Sequence, residues 1–379
     1  MKIFKWLLVC LMITGCHVAK EKENVKVEKD DQKVSMVAVG DNLMHQRLLD
    51  VAYQEGHYDF SPYYANIQSF IQKADLAFVN QETILGGESL GYSGYPLFNT
   101  PDEMAQTLDD VGFDIVNGAT NHSFDKGEKA IQHSIELFKS FKNMTYIGLY
   151  DSQEERDTVQ VVEKNGIKIA FLSYNQLTNG NVVPHSYTYN PFDKDLMKQD
   201  VENAKEISDI IVVSCHFGNE YETTPNDFQK EYAQYLTDLG VDIIIGTHTH
   251  TLQPVEWLEG NDGHRTLVAY SLGNFISGMM EEETQLGGML SFDLVKKDNQ
   301  VSVDNVTLTP LANHYTVDNV QNAYETRNHF TVYRLKDYTE NLASQHGLNG
   351  YEGITISKDK MIQKVKERMS DSTEIKIDL

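Results

Sequence analysis

Apolar residues fall into short blocks from position 34 onward, and their spacing changes along the chain. VSMVAVGD (34–41) is a nearly continuous apolar run that stops at Gly40-Asp41, the form of a buried strand. DLAFVN (75–80), DIVNGA (114–119), DIIVVSCH (209–216) and VDIIIG (241–246) have the same form. Between them lie PDEMAQTLDDVG (101–112), KGEKAIQHSIELFKSF (126–141), DKDLMKQDVENAKEI (193–207) and PNDFQKEYAQYLTDLG (225–240), whose periodicity predicts helices. VQVVEKNGIKIAFLSY (159–174) predicts a hairpin turning at Asn165-Gly166, a favoured two-residue turn. Later the style changes: TLVAYSLGNF (266–275), GGMLSFDLVKKDNQ (287–300) and VSVDNVTLTPL (301–311) predict consecutive strands. The pattern predicts one large α/β domain over 34–311, with the polar remainder, 312–379, as a small C-terminal accessory segment.

The first 33 residues follow a different logic. MKIFKWLLVCLMITGC has Lys2 and Lys5, an apolar run from Trp6 to Ile13, and Gly15 before Cys16. It has the form of a secretory signal and is short for a membrane span. ITGC (13–16) resembles the lipobox of bacterial lipoproteins. That resemblance implies a signal peptide over 1–15, lipid on Cys16, and attachment to the outer face of the bacterial cytoplasmic membrane. Residues 16–33 then hold the lipidated Cys and a charged tether, HVAKEKENVKVEKDDQK (17–33). With Cys10 removed and Cys16 lipidated, Cys215 has no partner, so no disulfide framework is expected.

Composition narrows the function. Hydrophobic content of 40% fits a globular protein, and a formal charge of -24 argues against a nucleic-acid partner, which needs basic patches for phosphate.

The chemistry lies where the strands stop. Asp41 follows the first, Asn80 and Glu82 the second, and Asn121-His122 the third. His216 follows the fourth, and His248 and His250 of GTHTH the fifth. In open α/β sheets the ligand crevice lies at these carboxyl ends, so residues spread over the chain can meet there. Positions 248 and 250, two apart on extended chain, would point to one side. Carboxylates, carboxamides and imidazoles form a mixed oxygen and nitrogen shell that suits Mn, Fe, Zn or Co. Asp41, Glu82, Asn121, His216, His248 and His250 are too many ligands for one tetrahedral ion, and are suited to one or two divalent ions, a pair sharing a bridging group at roughly 3.5–4 Å. There is no Gly-rich phosphate loop and no nucleophile elbow.

GD (40–41), NH (121–122), a solitary His216 and GTHTH (246–250) resemble the motif order of calcineurin-like metallophosphoesterases. VGDNLMH, VNQET, ATNHSFDKG, HFGNEY, GTHTHTLQPVEW and YSLGNF, in that order over about 34–280, resemble the CapA family of poly-γ-glutamate capsule synthesis proteins more closely. The resemblance implies a metallophosphoesterase-like layered α/β/β/α sandwich. It departs from the phosphoesterases at Val39, where their first Asp would stand, and Glu82 is the candidate replacement. Beside the ligands, His122 is the candidate to protonate a leaving group. His45, Arg47, Asn80, Glu220 and Asn274 are candidates to contact substrate or hydrogen-bond the ligands.

The resemblance implies poly-γ-glutamate or another anionic surface polymer as partner, with a membrane-embedded synthase nearby. Three readings stay open: a metal-dependent hydrolase or transferase of the polymer, an extracellular phosphoesterase, and a non-catalytic member that binds polymer or synthase.

Overall fold

The computed structural model describes residues 32–379. In chain order the strands that build the domain are β1 (Gln32–Leu43), β2 (Leu76–Gln81), β3 (Ile115–Asn117), β4 (Thr145–Ile147) and β5 (Gln160–Lys164). They continue as β6 (Ile167–Asn175), β7 (Ile210–His216), β8 (Ile243–Thr247), β9 (Val255–Glu259) and β10 (Arg265–Ala269). The last are β11 (Asn274–Ser277), β12 (Leu286–Lys297), β13 (Gln300–Val317), β14 (Arg327–Arg334) and β15 (Lys376–Ile377). One sheet runs β14-β13-β12-β1-β2-β3-β4, with β11 pairing β1 and β15 pairing β13. The other runs β9-β10-β8-β7-β6-β5.

Side-chain alternation explains why the sheets stack. In β7, Ile211, Val213 and Cys215 pack with Met197, Val201 and Ala204 of the helix Lys194–Ile207 and with Ala233 and Leu236 of the helix Asp227–Asp238. Ile210 and Val212, on the other face, join a core that includes Val39, Phe78 and Ile115 of the first sheet. Met104, Leu108 and Val111, from the helix Glu103–Val111, belong to that core as well. The order is helix, sheet, sheet, helix, the layering expected from the sequence. Cys215 is a buried free thiol.

A repeated local device ties the strand starts together. Asp75, Asp114, Asp209 and Asp242 each stand just before a parallel strand and accept a backbone N–H from the neighbouring strand, at Ser35, Ala77, Lys168 and Ile211, over 2.7–2.8 Å. The apolar strands are thus pinned at one end by carboxylates, and their other ends are left for chemistry.

The hairpin at Asn165-Gly166 forms, with positive φ at both residues (50° and 77°). Other details differ from the sequence reading. Gln32 and Lys33, read as tether, open β1. The signal peptide, Cys16 and the rest of the tether lie outside the described residues. TLVAYSLGNF is two strands, β10 in one sheet and β11 in the other. The chain crosses between sheets at 270–273, where Gly273 takes φ 62°. The expected boundary at 311/312 falls inside β13, and β14 extends the same sheet. Tyr315, Phe330, Val332, Leu335 and Val365 are buried in the main core, so the C-terminal segment is built into the domain. Its polar appearance in sequence reflects an edge strand and a helix, Lys358–Arg368, each burying one face only. Among the described residues no helix is long and apolar enough to cross a membrane.

Candidate metal centre

The two glycines that precede candidate ligands have a steric role. A Cβ on Gly40 would lie 1.8 Å from the Gly273 carbonyl oxygen, and one on Gly246 would lie 2.0 Å from that of Tyr270. The crossing segment thus presses against the ends of β1 and β8, where only glycine fits. Asp41 donates its N–H to the Gly273 carbonyl (2.9 Å), and the β1 register shifts at this point. Asp41 and Asn274 become paired positions on β1 and β11.

Two buried triads result: Glu82, His216 and His248, and Asp41, Glu82 and His250. Within each, one ligand atom per residue lies within 4.8 Å of the others, and Glu82 belongs to both. His250 Nδ1 is 3.2 Å from Asp41 Oδ2 and 3.7 Å from Glu82 Oε2. His216 Nε2 is 3.9 Å from Glu82 Oε1 and 2.9 Å from Asn121 Oδ1. All six expected ligands therefore converge. The pleat argument for the histidine pair does not hold, however. β8 ends at Thr247, and His248 and His250 have φ values of 94° and 60°. Turns in the left-handed region, strained for a residue with a Cβ, aim both rings.

The donor set fits divalent ions on the structure's own terms. Asp41 Oδ2, both Glu82 carboxylate oxygens and His248 Nδ1 are buried without a hydrogen-bond partner. Orphaned buried polar atoms cost about 1–3 kcal/mol each, more when charged, so four in one cluster call for a ligand. The charges say the same. Burial, reinforced by Asp41, pushes Glu82 well above the usual carboxylate range. Burial opposes a charge on His250, but Glu82 and Asp41 together overcome it and raise the imidazole to about 10. A proton on His250 thus supplies positive charge between the two carboxylates, where a cation would supply it instead. Burial and neighbouring imidazoles lower His248 to about 3 and His216 well below its ordinary value. Both are held neutral, the form that binds metal.

The supporting residues divide. Asn80 donates to Asp41 Oδ1 (2.8 Å) and accepts from Asn117 (2.7 Å), which in turn accepts from Ser173 (2.6 Å). Asn274 Oδ1 lies 3.1 Å from His250 Nδ1. His122 stands beside the cluster with Nδ1 2.8 Å from Asp125 Oδ2, its ring edge-on to Phe98 at 4.6 Å. His45 packs edge-on to the same Phe98 at 5.4 Å, and burial, then the charge of Arg327, lowers it to about 3. Glu220 is exposed, and its neighbour Tyr221 has its ring 6.2 Å from that of His250. Arg47 is not brought to the cluster: it donates to the Arg327 carbonyl (2.7 Å) and to Asn328 (3.1 Å). The sequence reading missed Asn117, Thr247 (2.9 Å from His216 Nδ1), Phe98 and the pairing of Asp125 with His122. The i, i+3 spacing of His122 and Asp125 was the one available signal for that pair.

Comparison with known proteins decides the family. The model of the bacterial capsule synthesis protein PGA_cap family matches residues 35–279. The chain belongs to the PGA_cap family. Every residue of the centre lies inside the matched stretch. The PGA biosynthesis protein CapA of Bacillus subtilis is 30% identical over 200 residues, covering 52% of this chain and 51% of that protein. The chain is thus matched to only about half the length of this relative. The capsule biosynthesis protein CapA of Bacillus anthracis is 23% identical over 314 residues, covering 79% and 73%. Among solved structures, the calcineurin-like phosphoesterase YfkN of Bacillus subtilis has TM-score 0.44 and 12% identity, over 91% of this chain and 98% of that one. A putative 5'-nucleotidase of Staphylococcus aureus has TM-score 0.43 and 16% identity, over 73% and 54%.

Proposed function

We propose that this PGA_cap protein is a metal-dependent hydrolase or transferase of poly-γ-glutamate in capsule assembly, working at the outer face of the cytoplasmic membrane. The observation that carries the reading is the pair of buried triads sharing Glu82, with the His122–Asp125 pair beside them. Asp41, Glu82, Asn121, His216, His248 and His250 would hold two divalent ions of the Mn, Fe, Zn or Co class. Bound there, such ions would polarise an amide carbonyl and activate water. With Nδ1 held by Asp125, His122 would take a proton from the attacking water at Nε2 and pass that same proton to the departing amine. Phe98 packs edge-on against the same ring. A lipid on Cys16 would hold the protein beside a membrane-embedded synthase; the support is the order of Lys2, Lys5, apolar run and ITGC.

A second reading is favoured by the same donor set. Two ions sharing a carboxylate also suit in-line displacement at phosphorus, with a phosphodiester of the cell surface as substrate. Manganese-loaded protein is to be incubated separately with γ-linked glutamate oligomers and with bis(p-nitrophenyl) phosphate, beside His122→Ala. Cleavage or transfer of the oligomer, lowered about 10²–10⁴-fold in the variant, is expected. Turnover of the phosphodiester alone would replace the first reading by the second. Oligomer binding that survives EDTA, without turnover of either, would leave a binding protein.

A further inference from the structure

Among the described residues other than glycine, positive φ falls on exposed Asn, Asp and Glu, on exposed His329, on the ligands His248 and His250, and on Tyr221 at 69°. A bulky side chain is strained in this region and stays there only where its surroundings hold it. For Tyr221 those surroundings are explicit. Its N–H donates to the carbonyl of Thr249, the residue between His248 and His250, over 2.8 Å. The Glu222 carbonyl accepts from Thr251 Oγ1 (2.5 Å) and from Gln253 Nε2 (2.9 Å). The turn after β7 is thus fixed to the segment that carries the two histidines.

This anchoring aims one ring. The Tyr221 ring lies 6.2 Å from that of His250 and is tilted 47° to it. His250 is 1% exposed, and Tyr221 is 46% exposed. Tyr221 therefore stands between solvent and a buried ligand. Core packing does not account for the ring, which belongs to none of the apolar clusters among the described residues. The strain at Tyr221 is held by hydrogen bonds and is not offset by packing of its side chain within the chain. Strain of this kind beside a reactive centre points to a contact made with something that binds there.

We propose that Tyr221 is a substrate-binding residue of the centre: its ring face covers the aliphatic backbone of the γ-linked polymer next to the amide that reacts. In a γ-linked chain the side-chain methylenes lie in the backbone. Each repeat then offers an apolar edge between its carboxylates, and an aromatic face suits such an edge. The contact needs no cation, which agrees with a chain of charge -24. Glu220, exposed on the same turn, repels the polymer's carboxylates and favours the orientation that turns them away from the ring. This rests on the polymer reading above and adds the residue that recognises the chain.

The test compares manganese-loaded wild type with Tyr221→Asn and Tyr221→Phe, using a γ-linked glutamate oligomer as the probe. Asparagine accepts the positive φ and removes the ring, so Tyr221→Asn is expected to keep its metal content and to unfold at a urea concentration no lower than wild type. Its KM for the oligomer is expected to rise by about tenfold or more with kcat little changed, as when an aromatic anchor is lost from a binding contact. Tyr221→Phe keeps the ring and should stay near wild type. Where wild type binds the oligomer without turning it over, the dissociation constant takes the place of KM. An unchanged KM in Tyr221→Asn, beside a wild type that cleaves the oligomer, would overturn this proposal alone. So would a raised KM that comes with lost metal or a lower unfolding midpoint, since the ring would then be structural. Neither turnover nor binding of the oligomer by wild type would overturn the polymer reading and this proposal together.

Discussion

His250 and Glu82 show how far the centre is built for a cation. His250 rises in the folded chain to about 10 and Glu82 rises well above 4.5, so the metal-free native state binds protons that the unfolded chain releases. Stability from the His250 charge is then fully present below its unfolded value of 6.5 and lost as pH rises through about 10. Urea unfolding of the EDTA-treated protein should therefore weaken steadily from pH 6.5 to 10, and reloading with Mn should flatten the slope. A slope equal in both forms would contradict the assignment. At His122 the expected outcome concerns rate. Asp125→Asn should lower turnover by about tenfold or more, because the ring loses the carboxylate that fixes its tautomer and stabilises its charge. Metal content by elemental analysis should stay at the wild-type value. The convergence of the six expected ligands was legible in sequence because each follows an apolar run with the form of a buried strand. The left-handed turn at Tyr221 was not, because tyrosine does not mark a positive φ as glycine or asparagine does.

At the scale of elements, the crossing from β10 to β11 organises the site. It brings Asn274 beside Asp41 and presses its backbone against Gly40 and Gly246. Gly40→Ala and Gly246→Ala should each destabilise the protein by about 1–3 kcal/mol or more, since the added methyl meets backbone oxygen that cannot swing aside. Chemical denaturation measures this directly. The strands, their helices and the Asn165-Gly166 hairpin could be read from periodicity and turn chemistry. The crossing could not, because TLVAYSLGNF is apolar throughout and periodicity does not report a change of sheet. The C-terminal boundary failed for a related reason. β13 lies inside the sheet and continues to Val317 through buried polar residues, Asn313 and His314, whose partners, the Asn274 carbonyl and the Tyr338 hydroxyl, no local pattern announces. A chain truncated after residue 311 should accordingly fail to fold, since it cuts β13 and removes β14 from the main sheet. Circular dichroism and a thermal melt suffice to check it.

For the whole molecule, two stacked sheets deliver carboxylates and imidazoles from strands far apart in sequence to one buried point, and they leave four of the polar atoms there without hydrogen-bond partners. An arrangement that orphans four polar atoms is destabilised unless something binds there, and a bound ion would stabilise the fold by mass action. The account therefore stands on the metal count. We would measure Mn, Fe, Zn and Co by elemental analysis in chelator-free protein, beside a Glu82→Ala variant. Two equivalents per chain in wild type, with most of both lost in the variant, is the predicted result, because Glu82 belongs to both triads. No metal in wild type after reloading, or a count that Glu82→Ala leaves unchanged, would contradict it.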